Sequence, residues 1–390
     1  MKRFWQQLAI ATNWPILVAV GVLSSLGVIS IWADKRPDGS SDGPKHLIYV
    51  CVGVICLAAF QAIDYRRIGR FSWGFYIASL LAVFYTVLGS KVHLPGVHNT
   101  KGTYAWINFG PMSFEPSELM KIAFVMVLAR YLRFRSNYRT VTGLLPPFAI
   151  ALIPILLILK QPDLGMALTF IPALFTLLFV AGAKIKHLLA IVALAIAFVP
   201  LAWFSGTNLP VFRHFPELVR DYQRARVHAL FSHDQTLDQG INFQVEHALM
   251  AMGSGGVSGK GFGNIPIGQH VPEAHNDMIF GLIGEQFGFF GSAVVLASYI
   301  VLFAAGVEIA AATREPFGRL LALGVVALLA AQTFINLLVA TRLMPVTGIT
   351  LPFVSYGGSS LLASFMAAGL LLNIGQNRPI VMARNAFEFE

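Results

Sequence analysis

The chain is short of charge. Of its 390 residues, 12% are Asp, Glu, Lys or Arg and 56% are hydrophobic, whereas soluble domains carry about 25% charged residues. That excludes an ordinary soluble enzyme and leaves an integral membrane protein. Cysteine is nearly absent too. Cys51 and Cys56 stand five apart in one apolar run and say nothing about a disulfide framework. No HExxH or similar zinc spacing occurs, and no tandem repeat or low-complexity tract is visible. The glycine-rich stretch GSGGVSGKG (253–261) fails as a nucleotide loop, because Ser254 stands where the pattern needs glycine and Gly261 where it needs Ser or Thr. No nucleotide cofactor is expected; a flexible hinge or a close backbone approach to a ligand remains for this stretch. The net charge of +9 comes from basic residues in loops between apolar runs, a pattern of membrane orientation and not of nucleic-acid binding.

What is present is hydrophobic length. Runs close to the ~20 residues that cross a bilayer recur at 14–33, 46–63, 71–89, 117–133, 143–159, 163–182, 187–205, 278–307, 318–341 and 359–375. The expected fold is all-α: a single polytopic membrane domain, 1–390, of about ten helices, with a large external loop, 206–277, between the seventh and eighth. The first run follows Lys2 and Arg3 like a signal peptide but lacks a small-residue cleavage site, so it reads as a retained span. Arg66, Arg67, Arg70, Arg130, Arg133, Arg135 and Arg139 crowd the short loops of one side. By the positive-inside rule that side is cytoplasmic, both termini lie there, and 206–277 faces outward. The segment 34–45 reads as an exposed, turn-rich loop.

The depth of the charges is more informative than their number. None falls in the middle of an expected span. Those that touch spans stand at outer ends: Glu118 and Lys121, Asp163, Asp277 with Glu285, and Arg342. Charges in membrane segments are costly and mark functional sites. Transporters place them near the midplane, which this sequence does not.

Several motifs carry this chemistry. In WINFGPMSFEPSELMKIAF (106–124) a loop becomes a helix, with Pro116 suited to its first turn, Glu115 and Glu118 near its positive end, and Glu118 and Lys121 on one face. This is either a capped span with a snorkelling lysine or a charge pair lining a cavity. LKQPDLG (159–165) is either a tight external turn or a polar cluster of Lys160, Gln161 and Asp163. DYQRARVHALF (221–231) reads as an amphipathic surface helix, or as a segment whose Arg224 and Arg226 meet phosphates. In PEAHNDMIF (272–280), Asp277 suits a general base within reach of a hydroxyl, or Asn276 and Asp277 merely cap the next helix. LPFVSYGGSS (351–360) is a glycine-rich helix entry, or lines a cavity with backbone amides and Ser355.

Together, WINFGPMSFEPSELMK, QPDLG, the glycine loop, PEAHNDMIF and VSYGGS resemble the SEDS family (RodA, FtsW and the sporulation relatives), the polytopic peptidoglycan polymerases, over essentially the whole chain. DYQRARV looks more like the RodA branch, although a division-type FtsW paralogue is the alternative. The chain departs from the family at Glu115, at Asn276, and at Asn242-Phe243 and His247-Ala248. The resemblance implies glycosyl transfer from lipid II, as donor and acceptor, outside the bacterial cytoplasmic membrane, in cell elongation. A class B penicillin-binding protein and cytoskeletal elongation proteins are the implied partners, among membrane lipids and with no nucleic acid. It carries the family's loop aspartate onto Asp277, its fourth-span pair onto Glu118 and Lys121, and its QPD aspartate onto Asp163.

Joining a sugar hydroxyl to an anomeric carbon that leaves a lipid diphosphate needs a base and positive charge. Asp277 is the expected base. Lys121, Lys160, Arg224, Arg226, Lys260 and Arg342 are the cations that suit the diphosphate, Lys121 and Arg342 foremost. Glu118 and Asp163 would orient Lys121 or help hold Mg²⁺ or Mn²⁺, with Asp277 as a metal ligand. A lipid II flippase is the rival reading. Gln332 and Asn336, polar residues inside the ninth expected span, speak for it.

Overall fold

A computed structural model of the chain describes residues 13–34, 40–100, 102–110, 112–135, 139–206, 217–231 and 241–377. Both termini, with Lys2 and Arg3, lie outside the described residues, as do 35–39 of the turn-rich loop and 207–216 and 232–240 of the external loop. The helices are α1 (Trp14–Ala33), α2 (Gly43–Ala62), α3 (Tyr65–Arg70), α4 (Ser72–Gly89), α5 (Pro116–Arg133), α6 (Leu145–Lys160), α7 (Leu164–Ala181), α8 (Ile185–Phe204), α9 (Asp221–Phe231), α10 (Ile241–Ser254), α11 (Ile279–Ala312), α12 (Pro316–Ala340) and α13 (Gly358–Gln376).

Among the described residues, nine helices are long and apolar enough to cross a membrane. The run expected at 117–133 is not one of them. Its helix, α5, has Glu118 and Lys121 at one end and Arg130 and Arg133 at the other. It is nevertheless buried nearly all round from Met120 to Ala129, as a helix in the centre of a bundle must be. Lipid-facing apolarity is therefore neither needed nor present there. α13 is the second central helix, with 89% of its hydrophobic window buried. It packs on α2, where a Cβ on Gly369 would collide with the backbone of Leu57, the close approach that small residues give membrane helices. Near its C-terminus the buried Asn373 ties α13 to the α2–α3 turn. Its amide donates to the carbonyls of Phe60 (3.0 Å), Gln61 (2.8 Å) and Ile63 (2.6 Å), and its oxygen accepts from the amide of Tyr65 (2.8 Å). α8 is the opposite case: Leu188 is its one buried residue, and the rest of its apolar face is open to lipid.

Two features were not expected. A short hairpin, β1 (Ile107–Phe109) and β2 (Met112–Phe114), precedes α5 in antiparallel register, Asn108 opposite Ser113. Gly110 turns it with φ 63°, the left-handed value a tight hairpin link requires. The span expected as 278–307 is a longer helix broken at Gly288, whose φ of 63° is not helical. The glycine-rich loop fills that break. Lys260 and Gly261 donate their amides to the carbonyls of Glu285 (3.0 Å) and Gln286 (3.0 Å), and Phe289 donates to the carbonyl of Gly256 (2.9 Å). A Cβ on Gly255 or Gly259 would strike the carbonyls of Gly284 and Gln286. The glycines thus allow a close backbone approach, as expected, but the approach is to α11, and the loop is a clasp and not a hinge.

Candidate functional site

Three polar segments converge at one end of the bundle, where α5, α7 and α11 begin. Pro116 starts α5 and Glu115 occupies its N-cap, so Glu118 lies in the first turn, where the helix dipole favours an anion. One turn on, Lys121 places its Nζ 2.8 Å from the Glu118 carboxylate, with both side chains almost fully buried. The ammonium also donates to Gln332 Oε1 at 2.8 Å. Gln332 continues the chain of bonds: its amide donates to the Thr350 carbonyl (3.0 Å) and reaches the Thr350 hydroxyl (3.2 Å), itself 2.6 Å from Ser360 Oγ. A buried ion pair is favourable only when further hydrogen bonds satisfy it, and Gln332 supplies one to the ammonium.

Asp163 caps α7, accepting from the amide of Met166 at 2.8 Å. Burial holds its carboxyl above the ordinary range; the capping bond opposes this and nearby Glu118 reinforces it. Glu115, across the same space, is raised by burial first and then by Glu118 and Asp163, despite a 2.6 Å bond from Ser117 Oγ.

Asp277 ends the turn-rich segment that leads into α11 and is 8% exposed. Its loop is pinned on both sides. Asn336 on α12 donates its amide to the Asp277 carbonyl (2.8 Å) and to the Ile349 carbonyl (2.7 Å). Two residues earlier, His275 accepts the amide of Tyr356 on its carbonyl (2.8 Å), and its Nδ1 lies 3.1 Å from Asp34 Oδ2.

Between these segments lies a cavity of about 500 Å³ lined by Asp277, Glu118, Glu115, Asp163 and Arg226, with the hydroxyls of Thr350, Ser359 and Ser360 along one wall. Trp106, just before the hairpin, and Asn108 within it also line the cavity. The structure thus brings together Asp277, Glu118, Asp163 and Arg226, with Lys121 directly behind Glu118.

The remaining candidates are not among the residues that line the cavity. Lys160 is exposed at the end of α6. Arg224 folds back onto the carbonyls of Trp203 (3.2 Å) and Ser205 (2.6 Å) and pairs with Asp221 (3.1 Å). Lys260 pairs with Glu285 at 2.6 Å within the clasp. Arg342, foremost of the cations expected at the diphosphate, reaches to Glu246 (3.0 Å). Arg226, held by the Val346 carbonyl at 2.9 Å, is the arginine that lines the cavity instead. Ser355 closes a turn, accepting from the amide of Leu351 at 2.7 Å.

Among the described residues no three His, Cys, Asp or Glu side chains converge to hold a metal ion by themselves. The cavity wall carries the carboxylates of Glu115, Glu118, Asp163 and Asp277; a Mg²⁺ ion commonly needs only one or two, taking its other oxygens from phosphates and water.

The family described as cell cycle protein, FTSW_RODA_SPOVE, matches residues 7–379. The probable peptidoglycan glycosyltransferase FtsW of Geobacter sulfurreducens is 34% identical over 364 residues, 92% of this chain and 92% of its own. Stage V sporulation protein E of Bacillus subtilis is 32% identical over 93% of this chain and 94% of its own. Peptidoglycan glycosyltransferase MrdB of Escherichia coli K12 is 30% identical over 97% of each. Identities this even do not separate one branch from another. Among solved structures, a chain from a peptidoglycan synthase complex that coordinates polymerization and crosslinking superposes with a TM-score of 0.76 at 28% identity, covering 94% of this chain and 98% of that one. The rod shape determining protein RodA of Thermus thermophilus does so with a TM-score of 0.65 at 27% identity, covering 94% and 97%.

Proposed function

The chain belongs to the FtsW, RodA and SpoVE family and is a multi-pass membrane peptidoglycan glycosyltransferase, and we propose that the cavity beneath the PEAHND loop is where it extends glycan strands from lipid II. One observation carries this reading: a buried aspartate, a second acid paired to lysine, and an arginine gather at one cavity at one end of the bundle.

In this reading the Asp277 carboxylate takes the proton from the acceptor sugar's 4-hydroxyl as that oxygen attacks the donor's anomeric carbon. The carbon's bond to the diphosphate oxygen breaks, and the leaving group departs with the electron pair. Arg226 meets the diphosphate as a two-pronged donor, and Lys121, held by Glu118 and Gln332, adds positive charge from behind. Because these donors are fixed before substrate arrives, they stabilise developing charge without reorganising. The polyprenyl tails run between helices into the bilayer. A divalent cation, Mg²⁺ or Mn²⁺, would be held by Asp277 and the diphosphate, adding positive charge at the leaving group; EDTA treatment and metal add-back test it.

A flippase would want polar groups along the whole crossing path. Gln332 and Asn336, the mid-span residues that favoured one, both bond to the cavity segment at 349–350 and so belong to the outer site.

The partner in this proposal is a class B penicillin-binding protein, whose single membrane helix covers apolar surface such as that of α8, α11 or α12. The role is in elongation, in the cytoplasmic membrane, with cytoskeletal elongation proteins inside and both termini cytoplasmic. Labelling of single cysteines in intact cells tests the orientation: Asn99→Cys is modified from outside and Lys186→Cys is not, and the reverse pattern sinks the site. The deciding assay gives labelled lipid II to the purified protein, alone and with a cognate transpeptidase. Glycan chains are expected, and their absence in both arms would refute the proposal.

A further inference from the structure

α12 is apolar for most of its length, yet it buries two carboxamides one turn apart, Gln332 (2% exposed) and Asn336 (1% exposed). Residues four apart share a helix face, and each amide here bonds one residue of the site and one carbonyl of the 349–350 segment. Gln332 accepts from Lys121 Nζ (2.8 Å) and donates to the Thr350 carbonyl (3.0 Å). Asn336 donates to the Asp277 carbonyl (2.8 Å) and to the Ile349 carbonyl (2.7 Å). Lys121, on α5, and Asp277, in the turn before α11, lie far apart in sequence, and no direct bond between them is needed to set their separation. Both are tied to one rigid face of α12 and to adjacent residues of the segment that returns from it.

We infer that Gln332 and Asn336 are a pair of positioning residues that hold the lysine and the aspartate of the site in register. Neither touches the reacting atoms. Gln332 fixes the Lys121 ammonium against Glu118, and Asn336 fixes the backbone from which the Asp277 carboxylate projects. The inference rests on the reading of the cavity given above and extends it. It also explains why polar side chains persist in a membrane helix where leucine would pack at no desolvation cost.

Asn373 provides the control. It is equally buried, it bonds three backbone carbonyls, and it sits at the opposite end of the bundle. The test compares Gln332→Met, Asn336→Leu and Asn373→Leu in purified full-length protein with its transpeptidase partner, reading kcat and KM for lipid II and the melting temperature. Wild type and Asp277→Asn are run alongside. For Gln332→Met and Asn336→Leu, kcat is expected to fall about 10–100-fold, the scale on which small misplacements act, with KM nearly unchanged. Asn373→Leu is expected to lower the melting temperature while each folded molecule keeps its kcat. Gln332→Asn, too short to reach both partners, and Asn336→Ser serve where the first variants do not fold. Unchanged kcat in the α12 variants, or losses that only follow the unfolded fraction, overturns the inference. A wild type that makes no glycan, or an Asp277→Asn that polymerises normally, overturns the underlying site and the inference with it.

Discussion

Among the described residues two buried glutamates pair with lysine, and the pairs are built to different ends. Glu285 pairs with Lys260 at 2.6 Å in the clasp, and Glu118 pairs with Lys121 at 2.8 Å in the cavity. Around Glu285 the carboxylate is saturated by the protein. One oxygen takes Lys260 and the amide of Ile267 (3.1 Å), the other takes the amide of Gly268 (2.7 Å), and the side chain is fully buried. Glu118 opens on a cavity shared with Asp277, Asp163 and Arg226. Charge in a membrane protein marks a function only where part of its bonding capacity faces a space a substrate can enter. Where backbone amides use all of it, the charge is holding a loop.

The comparison is broken first at the cavity. Lys121→Ala should lower polymerisation by at least about 10²-fold, the scale of losing one preorganised electrostatic contact, while membrane insertion stays intact. A fully active variant would make Lys121 a helix-end anchor. At the clasp, Glu285→Leu should cost stability instead, because the amides of Ile267 and Gly268 lose their acceptor at about 1–3 kcal/mol for an unsatisfied buried donor, seen as a lower melting temperature and poor expression. Lys260→Met removes a partner that is 23% exposed and leaves the amides in place, so folded protein should keep its activity. A selective loss of activity in Lys260→Met, at unchanged melting temperature, would return Lys260 to the substrate site.

The smallest effect is a pH dependence at Asp163. Its carboxyl is raised by burial, so the unfolded chain ionises it at lower pH than the folded protein does. Its contribution to stability therefore falls as pH rises from the ordinary carboxylate range to the raised value, and stays lowered above it. Asp163→Asn can still cap α7 but carries no such penalty. Its melting temperature relative to wild type should be more favourable at pH 8 than at pH 4. The opposite trend would mean that the ionised carboxylate is stabilised in place.

Much of this was legible in the sequence because it depends on local order. Run lengths located the helices, and the outer placement of Glu118, Asp163 and Asp277 located the end of the bundle where the cavity lies. The helix break was hidden because Gly288 sits in an apolar pattern that runs straight through it. The glycine loop read as a hinge or a close approach to a ligand, and not as a clasp, because its bonding partners, Glu285 and Gln286, are some 25 residues away. Gln332 and Asn336 were visible as polar residues in a span, but only their bonds to Thr350 and Ile349 tell a site's framework from a transport path. The cations sorted least well. Sequence position brings Arg224 and Arg226 equally close to the membrane, and the fold turns one onto Ser205 and the other into the cavity.

The central claim, that the open carboxylates do chemistry and the saturated one holds structure, is tested most directly at Asp277. Asp277→Asn keeps the shape of the side chain and the backbone bond from Asn336, but cannot take a proton at neutral pH. With labelled lipid II and the transpeptidase partner present, the account predicts a protein that folds, inserts and binds its partner yet polymerises about 10²–10⁴-fold more slowly, the usual loss on removing a general base. Polymerisation near the wild-type rate would contradict it and move the search for the base to Glu118.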